Sequence, residues 1–401
     1  NCSPPPAAQD IRRALAHASS SYCCTSVPSR FEGGESGDQD ACLGALEGIR
    51  EDDLERYART YVKRSSGPGV PWSRLGATKG QVLDGSAKLI AGCVRDRLRS
   101  LYEFSCLSAE DQEGVFRQGA VRLVELNLCD PVKVFIKNEP HKLGKIERLI
   151  SSVSIVDEIV ERLLCWLQNT TEIADWLHCP SAPGIGLSQD AQQCAFWEAM
   201  KPFLGELASS DVSAWDWCFR LWQMLLDVEA RIILARANPH GLWARLLRAR
   251  AFMLMRSTFV TSDGYVVAQL FAGVMKSGSY LTSSSNSRVR VLTAIIVGAL
   301  WARAMGDDCV EQFVIDAVAR YNLLGIRVKQ YDRAVDSFEF CSHEFKDGIA
   351  VPLNVVKGLF RLLATELDEE RISQFCVEFR HSPELEHCRE IALRVREMRS
   401  K

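Results

Sequence analysis

Ala304-Met305-Gly306-Asp307-Asp308-Cys309-Val310 is the stretch on which the reading of this chain turns. Apolar residues flank a Gly-Asp-Asp centre, which predicts a hairpin with two carboxylates at its tip. Gly306 permits the tight turn, because glycine enters left-handed backbone without a Cβ penalty. Alone, the tripeptide also fits a surface turn, so its neighbours decide. The matching segment is Asp211-Val212-Ser213-Ala214-Trp215-Asp216, entered from Leu207-Ala208-Ser209-Ser210 and leading into a helix predicted over Phe219–Ala235. If Asp211 ends a strand and Asp216 begins a helix, both face one cleft. The competing reading has Asp216 only capping that helix. Carboxylates from separate strands can hold two Mg²⁺ ions, which take few protein ligands and share the rest with phosphates and water. Two such ions roughly 4 Å apart activate an attacking hydroxyl and stabilise the leaving oxygen of a phosphoryl transfer. Asp211 and Asp307 are the right kind of pair.

Between them lies Gly273-Val274-Met275-Lys276-Ser277-Gly278-Ser279-Tyr280-Leu281-Thr282-Ser283-Ser284-Ser285-Asn286. Small residues let a backbone approach a nucleotide, and hydroxyls and an amide can bond a sugar. A flexible Ser-rich linker is the alternative, but the stretch runs straight into an apolar helix, Asn286 to about Gly298. Upstream, Lys133, Lys137, His141, Lys142, Lys145 and Arg148 crowd around Glu139. Cations this dense suit a triphosphate or an RNA backbone. A solvated charged loop is the bland alternative, although Leu149-Ile150 and a helix anchor this one.

Outward from these segments, Leu123–Leu126 and Val132–Ile136 read as strands around Cys129-Asp130-Pro131. Ile155–Leu167 and Gln312–Leu324 read as helices, the second with Phe313, Val314, Ala317, Val318 and Tyr321 on one apolar face and stopped by Gly325. Ser382-Pro383 starts a last helix with Leu385, Cys388, Ile391, Ala392 and Val395 as its buried stripe. Much of the first 45 residues reads as irregular, and Ser65–Pro71 as an ordered turn.

The chain has 401 residues, 47% hydrophobic and 25% charged, values that exclude collagen, coiled coil and wholesale disorder. Two or three subdomains or one large enzyme are expected. The most apolar run, Leu292–Ala302, is about half a membrane span, so no transmembrane segment is expected. A net charge of -3 gives no global sign of nucleic-acid binding, but a basic channel can sit inside an acidic shell. The 15 cysteines lack regular spacing and read as reduced thiols. His343 near Cys341, and His381, His387 and Cys388, lack a zinc spacing. The first residue is Asn1, so a piece of a longer precursor is expected.

In this order, the segments resemble the viral RNA-dependent RNA polymerases, above all the sobemovirus and polerovirus type. Asp211 to Asp216 is similar to the first palm motif, Ser277-Gly278, Thr282 and Asn286 to the second, and Gly306-Asp307-Asp308 to the third. Lys137-Asn138-Glu139, Lys145 and Arg148-Leu149-Ile150 resemble the basic fingers motif. Ser66-Gly67-Pro68-Gly69 resembles the motif where the template enters. Lys329 stands where the fourth motif carries a lysine, and Phe338–Phe345 resembles the strand pair that grips the primer. The resemblance covers roughly residues 66–345.

It implies an α+β right hand of fingers, palm and thumb, with an antiparallel palm sheet flanked by helices. The expected division is fingers with an N-terminal extension over 1–205, palm over 206–230, a fingers insertion over 231–265, palm again over 266–345, and a short, truncated-looking thumb over 346–401. Asp211, Asp307 and Asp308 would bind two Mg²⁺ ions, with Mn²⁺ a possible substitute. Asp216, Ser277 and Asn286 would sense the ribose 2′-OH, supported by Thr282. Lys137, Lys145 and Arg148 would hold the triphosphate. Lys329 would protonate the leaving pyrophosphate, with an exposed surface lysine as the alternative reading. Implied partners are a single-stranded RNA template, nascent RNA, ribonucleoside triphosphates and other replication proteins. Initiation stays open between a de novo start and a protein primer. The implied place is the host cytoplasm, at membrane-associated replication complexes. Rival readings are a reverse transcriptase and an inactive palm-like scaffold that only binds RNA.

Overall fold

The computed structural model describes residues 5–139, 144 and 147–400. Six helices come first: α1 (Ala8–Ser21), α2 (Gln39–Glu47), α3 (Glu51–Tyr61), α4 (Lys79–Cys106), α5 (Ala109–Arg117) and α6 (Ala120–Glu125). Strands β1 (Val132–Ile136) and β2 (Leu149–Ser152) follow, then α7 (Ile155–Ala174) and α8 (Asp190–Met200). Next come β3 (Leu207–Val212), the short α9 (Trp215–Cys218), α10 (Leu221–Leu234), α11 (Leu242–Met255), β4 (Thr258–Thr261) and β5 (Val266–Ala268). Helix α12 (Thr282–Val297) leads to β6 (Ala302–Met305), β7 (Asp308–Gln312), α13 (Ala317–Leu323) and β8 (Val328–Ala334). The chain closes with β9 (Phe338–Phe340), β10 (His343–Lys346), β11 (Ile349–Pro352), α14 (Val355–Leu363), α15 (Glu369–Glu378) and α16 (Leu385–Ser400).

The strands form three sheets. The central one has the order β6-β7-β3-β8 and is antiparallel throughout. A second, β2-β1-β4-β5, contains one parallel pair, β1 with β4. The third, β11-β10-β9, is antiparallel, and the backbone N–H of Glu339 ties it to Ser209 Oγ of β3 at 2.9 Å.

Helix α12 lies behind the central sheet, and from Ser284 to Val297 it has no exposed residue. Each fully buried Leu or Ile there contributes about 1.5–3 kcal/mol relative to exposure. Gly298 ends it with φ +124, a conformation that disfavours any side chain. Its two arginines are buried and paired. Arg288 bonds Asp227 of α10 and Glu172 of α7. Arg231 of α10 donates to Asp227 at 2.9 Å, and Ser285 Oγ to the same carboxylate at 2.7 Å. The acids of α7 are paired alike: Asp157 with Arg97, Glu158 with Lys79, and Glu161 with Arg250. Helices α14–α16 instead share a small core of their own around Leu359, Phe375, Phe379 and Cys388.

Four expectations change. Leu123–Leu126 lies almost wholly in α6, because Ala120 and Leu123, three residues apart, turn one helical face into the core. The first 45 residues hold α1, α2 and a 3₁₀ turn over Ser29–Gly34. Gln312 belongs to β7, where it pairs with Leu207, and the helix begins only at Ala317. Val318, expected on that helix's buried face, is exposed.

Candidate active site

The register of the central sheet builds the carboxylate cluster. Ser210 pairs with Cys309 at the end of the β3–β7 ladder, and continuing that register would set Asp211 against Asp308, whose charges act on each other. Like charges directly opposite on neighbouring strands repel, so this end of the sheet calls for a cation. The β6–β7 hairpin turns at Gly306, whose φ is +64, and carries Asp307 at its tip. The N–H of Gly306 donates to Ser287 Oγ of α12 at 2.8 Å, which holds the tip against the helix.

On the other side of β3, Asp211 pairs with Gln330 but Val212 with Val328. Lys329 is therefore the surplus residue of a β-bulge, the device that re-aims a side chain. Its Nζ reaches Asp211 Oδ2 at 2.5 Å, and that contact raises its pKa. A cavity of about 160 Å³ opens here, lined by Asp211, Asp308, Lys329, Glu339, Ser342 and others.

The remaining acids are poorly shielded. Burial, then the charges of Asp307 and Asp211, push Asp308 up to about 6. Burial, helped by Asp211, raises Asp307 as well. Among the described residues no three carboxylate, thiol or imidazole groups already stand in coordinating positions. Hard carboxylate oxygens that repel one another, with an ammonium seated on one of them, still fit a site for divalent cations.

Asp216 is not the cap of the following helix: Arg220 holds that position on α10. Ala214, with φ +51, turns the chain into α9, and Asp216 Oδ1 accepts from Asn286 Nδ2 at 2.9 Å. Burial raises the Asp216 pKa against that bond. Asn286 Oδ1 is buried without a hydrogen-bond partner, an acceptor open to a hydroxyl.

Thr282 and Ser277 work on the loop itself. Thr282 Oγ1 donates to the carbonyls of Lys276 and Ser279, at 2.6 and 2.9 Å. Ser277 Oγ accepts the N–H of Ser151 in β2 at 3.0 Å, and Gly278 N–H returns a bond to the Ser151 carbonyl at 2.9 Å. A Cβ on Gly278 would lie 2.5 Å from that carbonyl, so only glycine fits. Ser277 is thus latched to β2 through its own hydroxyl and the backbone of Gly278. Glu161 of α7 holds the next turn, accepting from Ser279 Oγ and the Tyr280 N–H, both at 2.8 Å.

The basic segment converges on Glu139. Lys137 approaches it at 2.8 Å, Arg148 at 3.3 Å, and Arg361 of α14 at 3.2 Å. The Lys137 bond first, then these charges, lower the Glu139 pKa. Lys145, like His141 and Lys142, lies outside the described residues. The sequence reading missed Arg290, Glu311, Ser287 and Glu161, which hold the site from behind. For the three charged ones the available signal was a charge inside an apolar helix or strand, which burial obliges to find a partner.

The viral RNA-directed RNA-polymerase family matches residues 68–355 of the chain. Replicase polyprotein P2AB of Southern cowpea mosaic virus is 38% identical over 334 residues, which cover 80% of this chain and 34% of that protein. The RNA-directed RNA polymerase of Mushroom bacilliform virus is 35% identical over 358 residues, 84% of this chain and 82% of that protein. Protein P1-P2 of Potato leafroll virus is 38% identical over 331 residues, 77% of this chain and 30% of that protein. The chain thus spans about a third of the replicase polyproteins it matches. On the span of the family match and the likeness to a whole polymerase, the chain belongs to the viral RNA-directed RNA polymerases.

Proposed function

We propose that this chain synthesises RNA on an RNA template from ribonucleoside triphosphates, and so replicates a positive-strand RNA virus genome. The observation that carries the reading is the meeting of Asp211 with Asp307 and Asp308 at one end of the central sheet, beside the Asp216–Asn286 bond. Divalent ions held by Asp211, Asp307 and Asp308, two Mg²⁺ in the proposed form, would activate a 3′-hydroxyl and stabilise the leaving oxygen. Asp216 and Asn286 orient the ribose through its 2′-OH, which both donates and accepts. That supports ribonucleotides over the deoxynucleotides of a reverse transcriptase. Thr282 keeps the loop in shape, and Ser277 reaches the sugar once its bond to Ser151 exchanges. Lys137, Lys145 and Arg148 take the triphosphate, which displaces Glu139 from the first and the last. Lys329 delivers a proton to the departing pyrophosphate, a role that needs only a positioned, protonated amine.

In this reading the central sheet is the palm (206–230 and 266–345), the residues before 206 and the 231–265 insertion are fingers, and 346–401 is the thumb. The β4–β5 hairpin straddles the 265/266 boundary and pairs with β1, which supports giving it to the fingers. The proposed partners are single-stranded template, nascent RNA, other replication proteins and, where initiation requires it, a protein primer. The proposed place is the host cytoplasm, at membrane-associated replication complexes. No described helix is long and apolar enough to cross a membrane.

The test is nucleotide incorporation on a primed single-stranded RNA with Mg²⁺, with deoxynucleotides in parallel. Template-dependent product is expected from the parent, with a loss of at least about a hundredfold in Asp307→Ala. An active Asp307→Ala protein would sink the metal assignment. RNA binding without Mg²⁺-dependent synthesis would instead favour the scaffold reading.

A further inference from the structure

Arg290 sits in the middle of α12, fully buried behind the carboxylate end of the central sheet. Its guanidinium reaches four groups on separate parts of the fold. Nε donates to the carbonyl of Asp307 at 3.3 Å, and Nη2 donates to Ser210 Oγ. Nη1 donates to Glu311 Oε2 at 3.2 Å and to the Tyr321 hydroxyl at 2.7 Å. Tyr321 in turn donates to Glu311, 2.8 Å from Oε2. Ser210 immediately precedes Asp211 in β3, and Glu311 lies in β7 beyond Asp308. One cation therefore grips the backbone or a near neighbour of every carboxylate in the cluster. Ser287, one helical turn earlier, holds the N–H of Gly306.

Asp211 is paired on its β8 side and Asp308 on its β6 side, but the two are not paired with each other. The β3–β7 ladder ends at Ser210 and Cys309, and Asp211, Asp308 and the Asp307 tip lie beyond it. A buried guanidinium is expensive to desolvate, and an apolar residue of similar size would fill the core more cheaply. What arginine supplies instead is a planar fork of five donors in fixed directions. Here the fork spans from the end of β3 to the hairpin tip.

We propose that Arg290, seconded by Ser287, is a positioning residue that presets the spacing between Asp211 and the Asp307–Asp308 turn. Divalent ions then meet a prepared site, with their carboxylates already set from the second layer. The proposal rests on the metal reading above and extends it to residues that touch neither ion nor nucleotide.

Mn²⁺ binding to the full chain, followed by electron paramagnetic resonance, tests it alongside thermal unfolding. Arg290→Lys keeps the charge and loses the fork; Ser287→Ala removes one acceptor. Both variants are expected to unfold cooperatively and to bind Mn²⁺ about tenfold more weakly than the parent. The Mg²⁺ needed for half-maximal incorporation should rise in step. KM for the nucleotide at saturating Mg²⁺ should move by less than about twofold, as expected when ground-state nucleotide binding is untouched. Folded variants with the parent's Mn²⁺ affinity overturn the proposal, whatever their activity. If Arg290→Lys fails to fold, Ser287→Ala decides by the same criterion. Asp307→Ala separates the two levels: undiminished Mn²⁺ binding there would fell the metal reading itself, and not the clamp alone.

Discussion

Asp227 is fully buried and Asp308 half-buried, and they answer the loss of water in opposite ways. Burial alone would raise Asp227, but Arg231 and Arg288 outweigh it and hold its pKa at about 2. Asp308 has Asp307 and Asp211 for neighbours, and burial together with their charges lifts it to about 6. The first carboxylate is satisfied by the fold and locks α10 to α12. The second is left short of positive charge. A paired buried acid reads as architecture, and an unpaired one as a place prepared for something the chain does not itself contain.

The largest expected effect breaks the satisfied side. Arg288→Met leaves Glu172 without its guanidinium and Asp227 with only Arg231 and the Ser285 hydroxyl, which should cost about 3–5 kcal/mol in urea unfolding. A loss below about 1 kcal/mol would mean the cluster is not what joins these helices.

The two acids also set opposite pH dependences. Asp308 is raised when folded, so its contribution is present below about pH 4 and is lost as pH climbs toward about 6. Asp227 is lowered, so its contribution is present above about pH 4 and fades as pH falls through about 2. Unfolding measured in EDTA from acid to neutral pH should show both limbs. Asp308→Asn, or added Mg²⁺, should flatten the upper limb and leave the lower one. An unchanged upper limb in Asp308→Asn would remove that residue from the comparison.

The smallest effect on stability belongs to Lys329, whose ammonium sits on Asp211 at 2.5 Å. The two side chains are 64% and 37% exposed, so Lys329→Met should change stability by less than about 1 kcal/mol. Incorporation should still slow by about a hundredfold or more if the amine is the acid. A large stability loss with unaltered turnover would make the contact structural.

Much of the site was legible because its chemistry is local in sequence. Asp211 at a strand end and Asp307 at a hairpin tip follow from apolar flanks and one glycine. Helix α7 follows from its apolar periodicity, and most of α12 from a run apolar enough to be deeply buried. Helix α1 was not legible, because Ala14 and Ala18, the residues it buries, are too small to print a strong apolar period. Helix α6 was misread because Val121 and Val124 favour strands locally, while packing of Ala120 and Leu123 prevails. The Arg290 bracket is invisible to any window, since Ser210, Glu311 and Tyr321 come from three separate elements. Ser277 resembled a sugar contact by motif, and only the fold reveals its bond to β2.

The bulge in β8 makes Lys329 separable from the strand that carries it. Because it is the surplus residue, excising it alone would let Gln330 and Val328 become successive partners of Asp211 and Val212. Alternation of faces would then survive on both sides. Removing a residue of β8 away from the bulge would turn the side chains between the cut and the bulge toward the wrong face. The central sheet and its lysine are thus two parts, and one could be lost or regained without rebuilding the other.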